Sequence, residues 1–217
     1  NGHLFEVAER IATQEFQVLD PKDAIEDAVR LILHEVGEDP SRDGLLRTPH
    51  RVAKMYNELL EGYEQDVETI INGALFEVEY GEGEMVVVAN IEYNSMCEHH
   101  IIPFLGVAHV AYLPKEKLTG ISKLARVVEV NARRLQVQER LTNQVAEAMM
   151  DILDARGVGV VLEGSHFCMM MRGVEKQNSV MTTSSVLGSF HNDEATRVEF
   201  TMQSAAFVDP AAEDALL

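Results

Sequence analysis

The sequence predicts an α+β fold in which an antiparallel β-sheet carries a pair of helices on one face. The first third of the chain repeats apolar residues at helical spacing, and from Leu75 the pattern changes to short β-rich runs bounded by turn residues. Two helical patterns separate these runs between residues 122 and 152. Strands in hairpin-like order, with the helices grouped between them, are typical of an antiparallel sheet and not of a doubly wound parallel one.

A helical region is predicted for residues 1–70. Asp20 and Pro21 supply a cap and a first-turn proline for a helix whose apolar residues repeat as far as Gly37. Residues 37–47 form a loop, and Thr48-Pro49 then begins a second helix that ends near Gly62. We expect these helices to form an appendage to the sheet domain.

The sheet domain is predicted to cover residues 71–205. Its expected strands are 75–80, 85–91, 107–113, 158–162 and 166–171, with turns at 81–83 and at Pro103. Three helices are expected in this domain. Ser122 caps the first, which runs to about Arg134. The second has apolar residues from Val137 to Ile152 and stops at Gly157, and a short third helix covers 193–202. Residues 206–217 are acidic and are predicted to be a frayed tail.

Composition argues against several classes of protein. The chain has 217 residues, 46% of them apolar, which is enough to bury a core, and no apolar run reaches the ~18 residues of a membrane span. A net charge of −18 argues against broad nucleic-acid binding, which needs a basic surface. The first residues show neither a basic start nor an apolar signal core. The chain does not begin with Met, so a removed leader remains an alternative.

One segment of this acidic sequence has a net positive charge. Residues 115–145 carry seven basic and three acidic side chains, which gives the window a net charge of +4. A phosphate-binding site needs such a local concentration of positive charge. The same window is compatible with an ordinary solvated helix face, and charge counting alone leaves both interpretations open.

Both cysteines of the chain lie beside histidines, in Cys97-Glu98-His99-His100 and in His166-Phe167-Cys168. Cys97 and His100 are three residues apart, so a tight turn can aim both at one ion, and thiolate with imidazole favours zinc or a similar metal. On a strand, residues 166 and 168 point to the same side. We therefore expect Cys168 to close the metal site while His166 faces the same cavity.

Three protein ligands leave a fourth position for water, which is the arrangement of catalytic zinc sites. His99 and His166 then lie beside that water, and imidazole titrates near neutral pH, which suits proton transfer in a hydrolysis. The alternatives are that the cysteines are small core residues and that the two histidines only pack around the site. Cysteines used as metal ligands also indicate a reducing cytoplasm.

Five segments of the sequence closely resemble the GTP cyclohydrolase I family. They are residues 48–55 (TPHRVAKM), 95–100 (SMCEHH), 120–126 (GISKLAR), 133–142 (RRLQVQERLT) and 166–173 (HFCMMMRG). The similarity runs from about residue 22 to residue 203 with the same order and spacing.

The resemblance implies a role for each matched residue. The zinc ligands, for one ion per subunit, match Cys97, His100 and Cys168. The histidines that transfer protons while the guanine imidazole ring opens match His99 and His166. The stretch that grips the guanine matches Gln138 and Glu139. The triphosphate-binding residues match Ser122, Lys123, Arg126 and Arg172, and Lys54 is expected to join them.

The resemblance also implies an assembly and a reaction. The family has the tunnelling fold and forms a toroidal decamer of two pentamers, with active sites shared between subunits. The reaction converts GTP and water to 7,8-dihydroneopterin triphosphate and formate, the first step of pterin and folate biosynthesis. Zinc-activated hydroxide attacks carbon 8 of the guanine, and His166 is placed to protonate the neighbouring ring nitrogen.

Three positions depart from the family pattern: Asn94, Val180 and Met181. None of them matches a catalytic residue. Two other functions are alternatives: a different tunnelling-fold enzyme acting on a purine or pterin, and a non-catalytic interaction protein stabilised by zinc. Residues 97–100 together with 133–142 argue against the first, and the free histidines with the basic window argue against the second.

Overall fold

A computed structural model of the chain describes residues 21–71, 73–77 and 84–206. The chain divides into two compact units between Glu58 and Leu59, and the domain boundary that the sequence places after residue 70 stays a prediction. No helix within the described ranges is long and apolar enough to cross a membrane. The predicted turn at 81–83 and all but the first residue of the predicted tail lie outside the described residues.

The N-terminal unit contains both helices that the sequence predicts. Helix α1 spans Pro21–Glu35 and helix α2 spans Thr48–Leu59, so the second ends slightly before the predicted Gly62. Pro49 occupies the first turn of α2, where its missing N–H leaves no hydrogen bond unmade. His50 of α2 and Glu26 of α1 are joined by a 3.0 Å contact between Nδ1 and Oε1. This hydrogen bond, followed by the neighbouring Arg30, lowers the pKa of the Glu26 carboxyl.

The C-terminal unit alternates strands and helices. Its strands are β1 Leu75–Glu77, β2 Val86–Cys97, β3 Ile102–Leu113, β4 Lys117–Thr119, β5 Leu135–Gln136, β6 Gly157–His166 and β7 Met181–Gly188. Its helices are α3 Val67–Ile71, α4 Ile121–Ala132, α5 Gln138–Leu153, α6 Phe167–Met170, α7 Ser189–Asn192 and α8 Glu194–Ala206, and one 3₁₀ turn covers Glu61–Tyr63.

Five of these strands form the main sheet, in the order β5-β2-β3-β6-β7. Strands β2, β3, β6 and β7 pair antiparallel, while the short β5 lies parallel to the end of β2, with Cys97 opposite Gln136. Strands β1 and β4 form a separate antiparallel pair. Because helices α4 and α5 cover one face of this sheet, the predicted α+β class with an antiparallel sheet and a helical pair is confirmed.

The sheet is covered by α4 and α5 on one face and, over part of its length, by α7 and α8 on the other. Val110 and Tyr112 of β3 belong to the core beneath α4 and α5, whereas Ala111 points to the other face. On that second face Phe190 of α7 and Phe200 of α8 are fully or almost fully buried. Strand β3 is covered on both sides around Ala111 and therefore carries apolar residues at neighbouring positions there, whereas β2 alternates buried and exposed residues from Ile91 to Asn94.

The structure corrects four details of the predicted elements. Strands β2 and β3 extend to Cys97 and back to Ile102, so Pro103 lies within β3 and not in a turn. Helix α4 begins after an N-cap at Gly120, so the predicted cap at Ser122 is wrong. The predicted strand over 166–171 is also wrong. Ladder pairing between β3 and β6 ends at Phe104 opposite His166, and the chain then turns into the single helical turn α6.

Candidate active site

A tight hairpin turn carries the first metal-binding motif. Strand β2 ends at Cys97 and β3 begins at Ile102, its ladder partner. The Ile101 N–H donates to the Cys97 carbonyl oxygen at 2.8 Å, and Ile101 adopts a positive φ of 52° to close the turn. Cys97 is buried while His100 is exposed, and the Cys97 Sγ atom lies 3.7 Å from His100 Nδ1. The turn therefore aims both side chains at one point, as the spacing predicts.

Cys168 completes this group. The possible ligand atoms of Cys97, His100 and Cys168 all lie within 4.8 Å of one another. Donor atoms around one tetrahedral zinc ion lie roughly 3.5–4 Å apart, given Zn–S and Zn–N bonds of about 2.3 and 2.1 Å. Only small side-chain adjustments would bring the three donors to that spacing. The secondary structure around Cys168 differs from the prediction, because Cys168 lies in the helical turn α6 and not on a strand shared with His166.

The electrostatics of the two thiols favours a cation between them. Burial, and then the neighbouring Cys97 sulfur, raises the pKa of the Cys168 thiol. Two adjacent thiolates repel each other unless a positive charge lies between them. A bound divalent cation supplies that charge and deprotonates both thiols, so the donor set of two sulfurs and one imidazole fits zinc.

His99 lies beside the three-residue group without belonging to it. Its side chain is 64% exposed, and its Nδ1 atom lies 3.9 Å from the Cys97 sulfur. The His99 and His100 rings meet edge to face at 6.2 Å. His99 can therefore reach a molecule that approaches the group from the solvent side.

His166 is held more tightly. It is the last residue of β6, and its ring stacks almost parallel on the buried ring of Phe104, with centroids 4.5 Å apart and an angle of 4° between the planes. Its Nε2 atom lies 2.9 Å from Oε1 of Gln138. Burial lowers the pKa of His166, and the charge of Glu139 acts in the opposite direction.

The start of helix α5 supplies the two residues that the resemblance assigns to the guanine. The Gln138 side chain is fully buried, and its polar atoms contact other groups of the protein. Glu139 is exposed, in the first turn of the helix. Only the second of these side chains is open to a ligand.

An ion pair joins the metal-binding turn to helix α5. The Arg140 guanidinium contacts the Glu98 carboxylate, and its Nε donates to Gln136 Oε1 at 3.0 Å. The hydrogen bond with Arg140 is the main reason why the pKa of Glu98 is lowered. Sequence reasoning missed this pair, as it missed Phe104, because both depend on which strand lies next to which.

The predicted triphosphate residues do not gather at the metal group within one chain. Ser122, Lys123 and Arg126 lie in the first half of α4, and the Lys123 ammonium donates to the Ile70 carbonyl oxygen at 2.6 Å. The opposite end of α4 approaches the metal-binding turn, since the Asn131 carbonyl accepts a hydrogen bond from Gln136. At 1.5 Å per residue, Ser122 lies about 14 Å along the helix from Asn131.

The two remaining cations lie in different parts of the chain. Arg172 lies two residues after the end of α6, is exposed, and donates through Nη1 to the Cys168 carbonyl oxygen at 3.1 Å. It is therefore the one predicted phosphate ligand that the structure places beside the metal group. Lys54 lies exposed on α2 in the N-terminal unit, near Glu26 and His50.

Known proteins resemble this chain over most of its length. A sequence model of the family GTP cyclohydrolase I matches residues 25–205. Three curated relatives are named GTP cyclohydrolase 1. The relative from Leptospira biflexa is 56% identical over 176 residues, covering 81% of this chain and 95% of its own. The relative from Gloeobacter violaceus is 56% identical over 82% of each chain. A relative from Campylobacter jejuni is 55% identical over 81% of this chain and 91% of its own.

Proposed function

The chain belongs to the GTP cyclohydrolase I family, and on that basis we propose that it converts GTP and water to 7,8-dihydroneopterin triphosphate and formate. The observation that carries this proposal is the group formed by Cys97, His100 and Cys168, with His99 and His166 next to it. A structural metal site would need no such pair of free histidines, whereas a hydrolase needs groups that move protons.

We propose zinc as the metal, one ion per chain. The support is chemical, because two thiols and one imidazole suit a borderline ion, and three protein ligands leave a position for water. When bound, zinc makes hydroxide available near neutral pH. Both cysteines are free thiols, which also fits a reducing cytoplasm, where we place the enzyme.

Protein side chains are assigned the proton transfers and the binding of the guanine. His166 is held at a fixed angle by Phe104 and is assigned the transfer of a proton to the guanine nitrogen next to carbon 8. His99, on the exposed side, is assigned proton transfer during release of formate. The exposed carboxylate of Glu139 can accept hydrogen bonds from the guanine ring N–H and its exocyclic amine.

We assign the binding of the triphosphate to basic side chains that lie in different parts of the fold. Arg172 lies beside the metal group and offers a guanidinium fork for phosphate oxygens. Ser122, Lys123 and Arg126 lie at the far end of α4, so we propose that the α4 of a neighbouring subunit brings them to the site. This arrangement supports the ring-shaped decamer of two pentamers that the resemblance implies. Lys54 is proposed as a further phosphate contact.

The direct test is to incubate the zinc-loaded protein with GTP and to measure formate together with the fluorescent pterin that appears after oxidation. We expect both products in equal amounts. Guanosine serves as the matched control substrate, because it offers the same base without the triphosphate, and we expect little turnover of it. Phosphate release from GTP without any formate would contradict the proposal.

A further inference from the structure

The amide of Gln138 has only one possible orientation. Its Nε2 atom lies 2.8 Å from the Met181 carbonyl oxygen and 3.1 Å from the Leu162 carbonyl oxygen. Carbonyl oxygens only accept hydrogen bonds, so the atom that faces both of them must be the NH₂ group. The carbonyl oxygen of the amide, Oε1, consequently points the other way.

A pair of threonines supports the same assignment. The Thr142 hydroxyl donates to the Gln138 backbone carbonyl at 2.7 Å, which uses its only proton. In the 2.7 Å contact between Thr142 and Thr183, the donor must therefore be Thr183. The Thr183 oxygen is then left to accept from Gln138 Nε2, at 3.1 Å. Every hydrogen in this buried network has an acceptor.

The amide of Gln138 packs closely against the backbone at Gly164. A Cβ atom at Gly164 would lie 2.5 Å from Oε1 of Gln138 and 2.7 Å from the Tyr93 hydroxyl oxygen, so a larger residue there would displace these two side chains. Burial raises the pKa of Tyr93, which keeps the phenol neutral, and its hydroxyl donates to the Glu163 carbonyl oxygen. The amide is thus enclosed by backbone on one side and by a neutral ring on another.

The fixed amide determines which nitrogen of His166 carries a proton. Oε1 of Gln138 can only accept, and it lies 2.9 Å from Nε2 of His166. A bare Nε2 would place two lone pairs against each other. Nε2 must therefore be an N–H, and the neutral ring has its lone pair on Nδ1. Stacking on Phe104 holds the plane of the ring in this orientation.

We propose that Gln138 is a positioning residue that fixes His166 as the Nε2–H tautomer, so that the Nδ1 lone pair takes the proton lost by the water that adds to carbon 8 and then passes it to the neighbouring guanine nitrogen. This task differs from the guanine contact that the family resemblance implies for Gln138. The proposal rests on the proposed function, in which His166 moves the proton. Met181, one of the departures from the family pattern, contributes through its backbone carbonyl and not through its side chain.

The tautomer is observed directly by neutron diffraction from crystals of the unaltered, deuterium-exchanged protein. We expect deuterium on Nε2 of His166 and two deuterons on the Gln138 nitrogen that faces Leu162 and Met181. A bare Nε2, or a Gln138 NH₂ group turned towards His166, would overturn the proposal. This measurement involves no turnover, so a failure of the proposed function would not be mistaken for a failure of the tautomer assignment.

A kinetic test uses Gln138→Met, which keeps the side-chain volume and removes the acceptor. We expect kcat to fall on the order of 100-fold, within the range of general acid–base groups, with KM for GTP nearly unchanged. Thr183→Val is the matched control, because it removes a hydrogen bond from the same network and leaves Oε1 facing His166. We expect Thr183→Val to keep most of its kcat. A raised KM with normal kcat in Gln138→Met would instead identify a guanine contact and overturn the positioning role.

Discussion

The two ends of helix α4 differ in how much of the active site a single chain completes. At its C-terminal end, the sheet brings the three possible metal ligands within 4.8 Å and holds His166 between Phe104 and Gln138. At its N-terminal end, Ser122, Lys123 and Arg126 lie away from that group, and Lys123 donates to the Ile70 carbonyl oxygen. The groups proposed to perform the chemistry are positioned by the fold of one chain, whereas we propose that a neighbouring chain brings most of the phosphate-binding cations.

The difference follows from which contacts each region makes. Cys97 and His166 lie at the ends of paired strands, where the ladder sets their separation, and His100 and Cys168 follow these two strand ends closely. Arg126 is exposed on its helix, and no ladder holds it against the metal group. Variants at the two ends should therefore fail in different ways.

The largest effect is expected for Cys168→Ser, which replaces a soft thiolate ligand with a hydroxyl. Bound zinc and formate production should be lost together, because the remaining two ligands do not hold the ion. Metal analysis of the purified protein and the GTP assay measure both. Removal of zinc by a chelator from the unaltered protein should give the same loss, reversed by added zinc. Full zinc occupancy with normal turnover in Cys168→Ser would exclude this site.

The next effect is expected for the two free histidines. His166→Ala and His99→Ala should each keep zinc, assembly and GTP binding, yet lose turnover by ~100-fold to 10,000-fold, the usual range for general acid–base groups. A variant that adds water to carbon 8 without completing the second hydrolysis should accumulate a formamide intermediate. Near-normal formate release from both variants would show that neither histidine is catalytic.

A smaller effect is expected at the other end of α4. Arg126→Ala should raise KM for GTP by roughly 10-fold to 100-fold, which corresponds to the 1.5–3 kcal/mol typical of a charge-assisted hydrogen bond. Lys115→Ala is the matched control, since it removes one positive charge from a side chain that is paired with Asp154. Its KM should not change. Equal kinetics in Arg126→Ala, Arg172→Ala and the unaltered protein would contradict the triphosphate assignment.

The smallest effect is expected for Glu98→Gln, which weakens the ion pair with Arg140. Both side chains are partly exposed, at 33% and 42%, and such surface pairs contribute about 0–1 kcal/mol. Zinc affinity should therefore fall by no more than about five-fold, as measured by competition with a chromophoric chelator. A loss as large as that of Cys168→Ser would mean that the ion pair, and not the strand ladder, holds the turn in place.

Sequence reasoning predicted which residues form the metal group better than it predicted how they meet. The spacing of Cys97 and His100 predicts a tight turn, and the turn is present. The sequence correctly predicts that Cys168 lies beside Cys97 and His100. It wrongly places Cys168 on a strand with His166, because the chain leaves the sheet after His166. With only two cysteines in the chain, residue type alone was enough to pair them.

Residues that act across strands could not be predicted in the same way. Strand β7 was missed because its sequence, Met181–Gly188, is rich in threonine and serine and shows no apolar run. Without β7, neither Thr183 nor the Met181 carbonyl could be placed beside Gln138. Phe104 was missed because its stacking on His166 depends on the register between β3 and β6, which no local pattern fixes.

The central claim, that one chain supplies the chemical groups and its neighbour most of the phosphate cations, is tested most directly by subunit complementation. His166→Ala and Arg126→Ala chains are co-expressed with different tags, and the mixed assembly is purified and assayed at GTP concentrations below the KM of Arg126→Ala. We predict that the mixture regains activity well above the mean of the two pure variants, because some sites combine an intact His166 with an intact Arg126. Activity equal to that mean would contradict the account and place both residues in the site of a single chain.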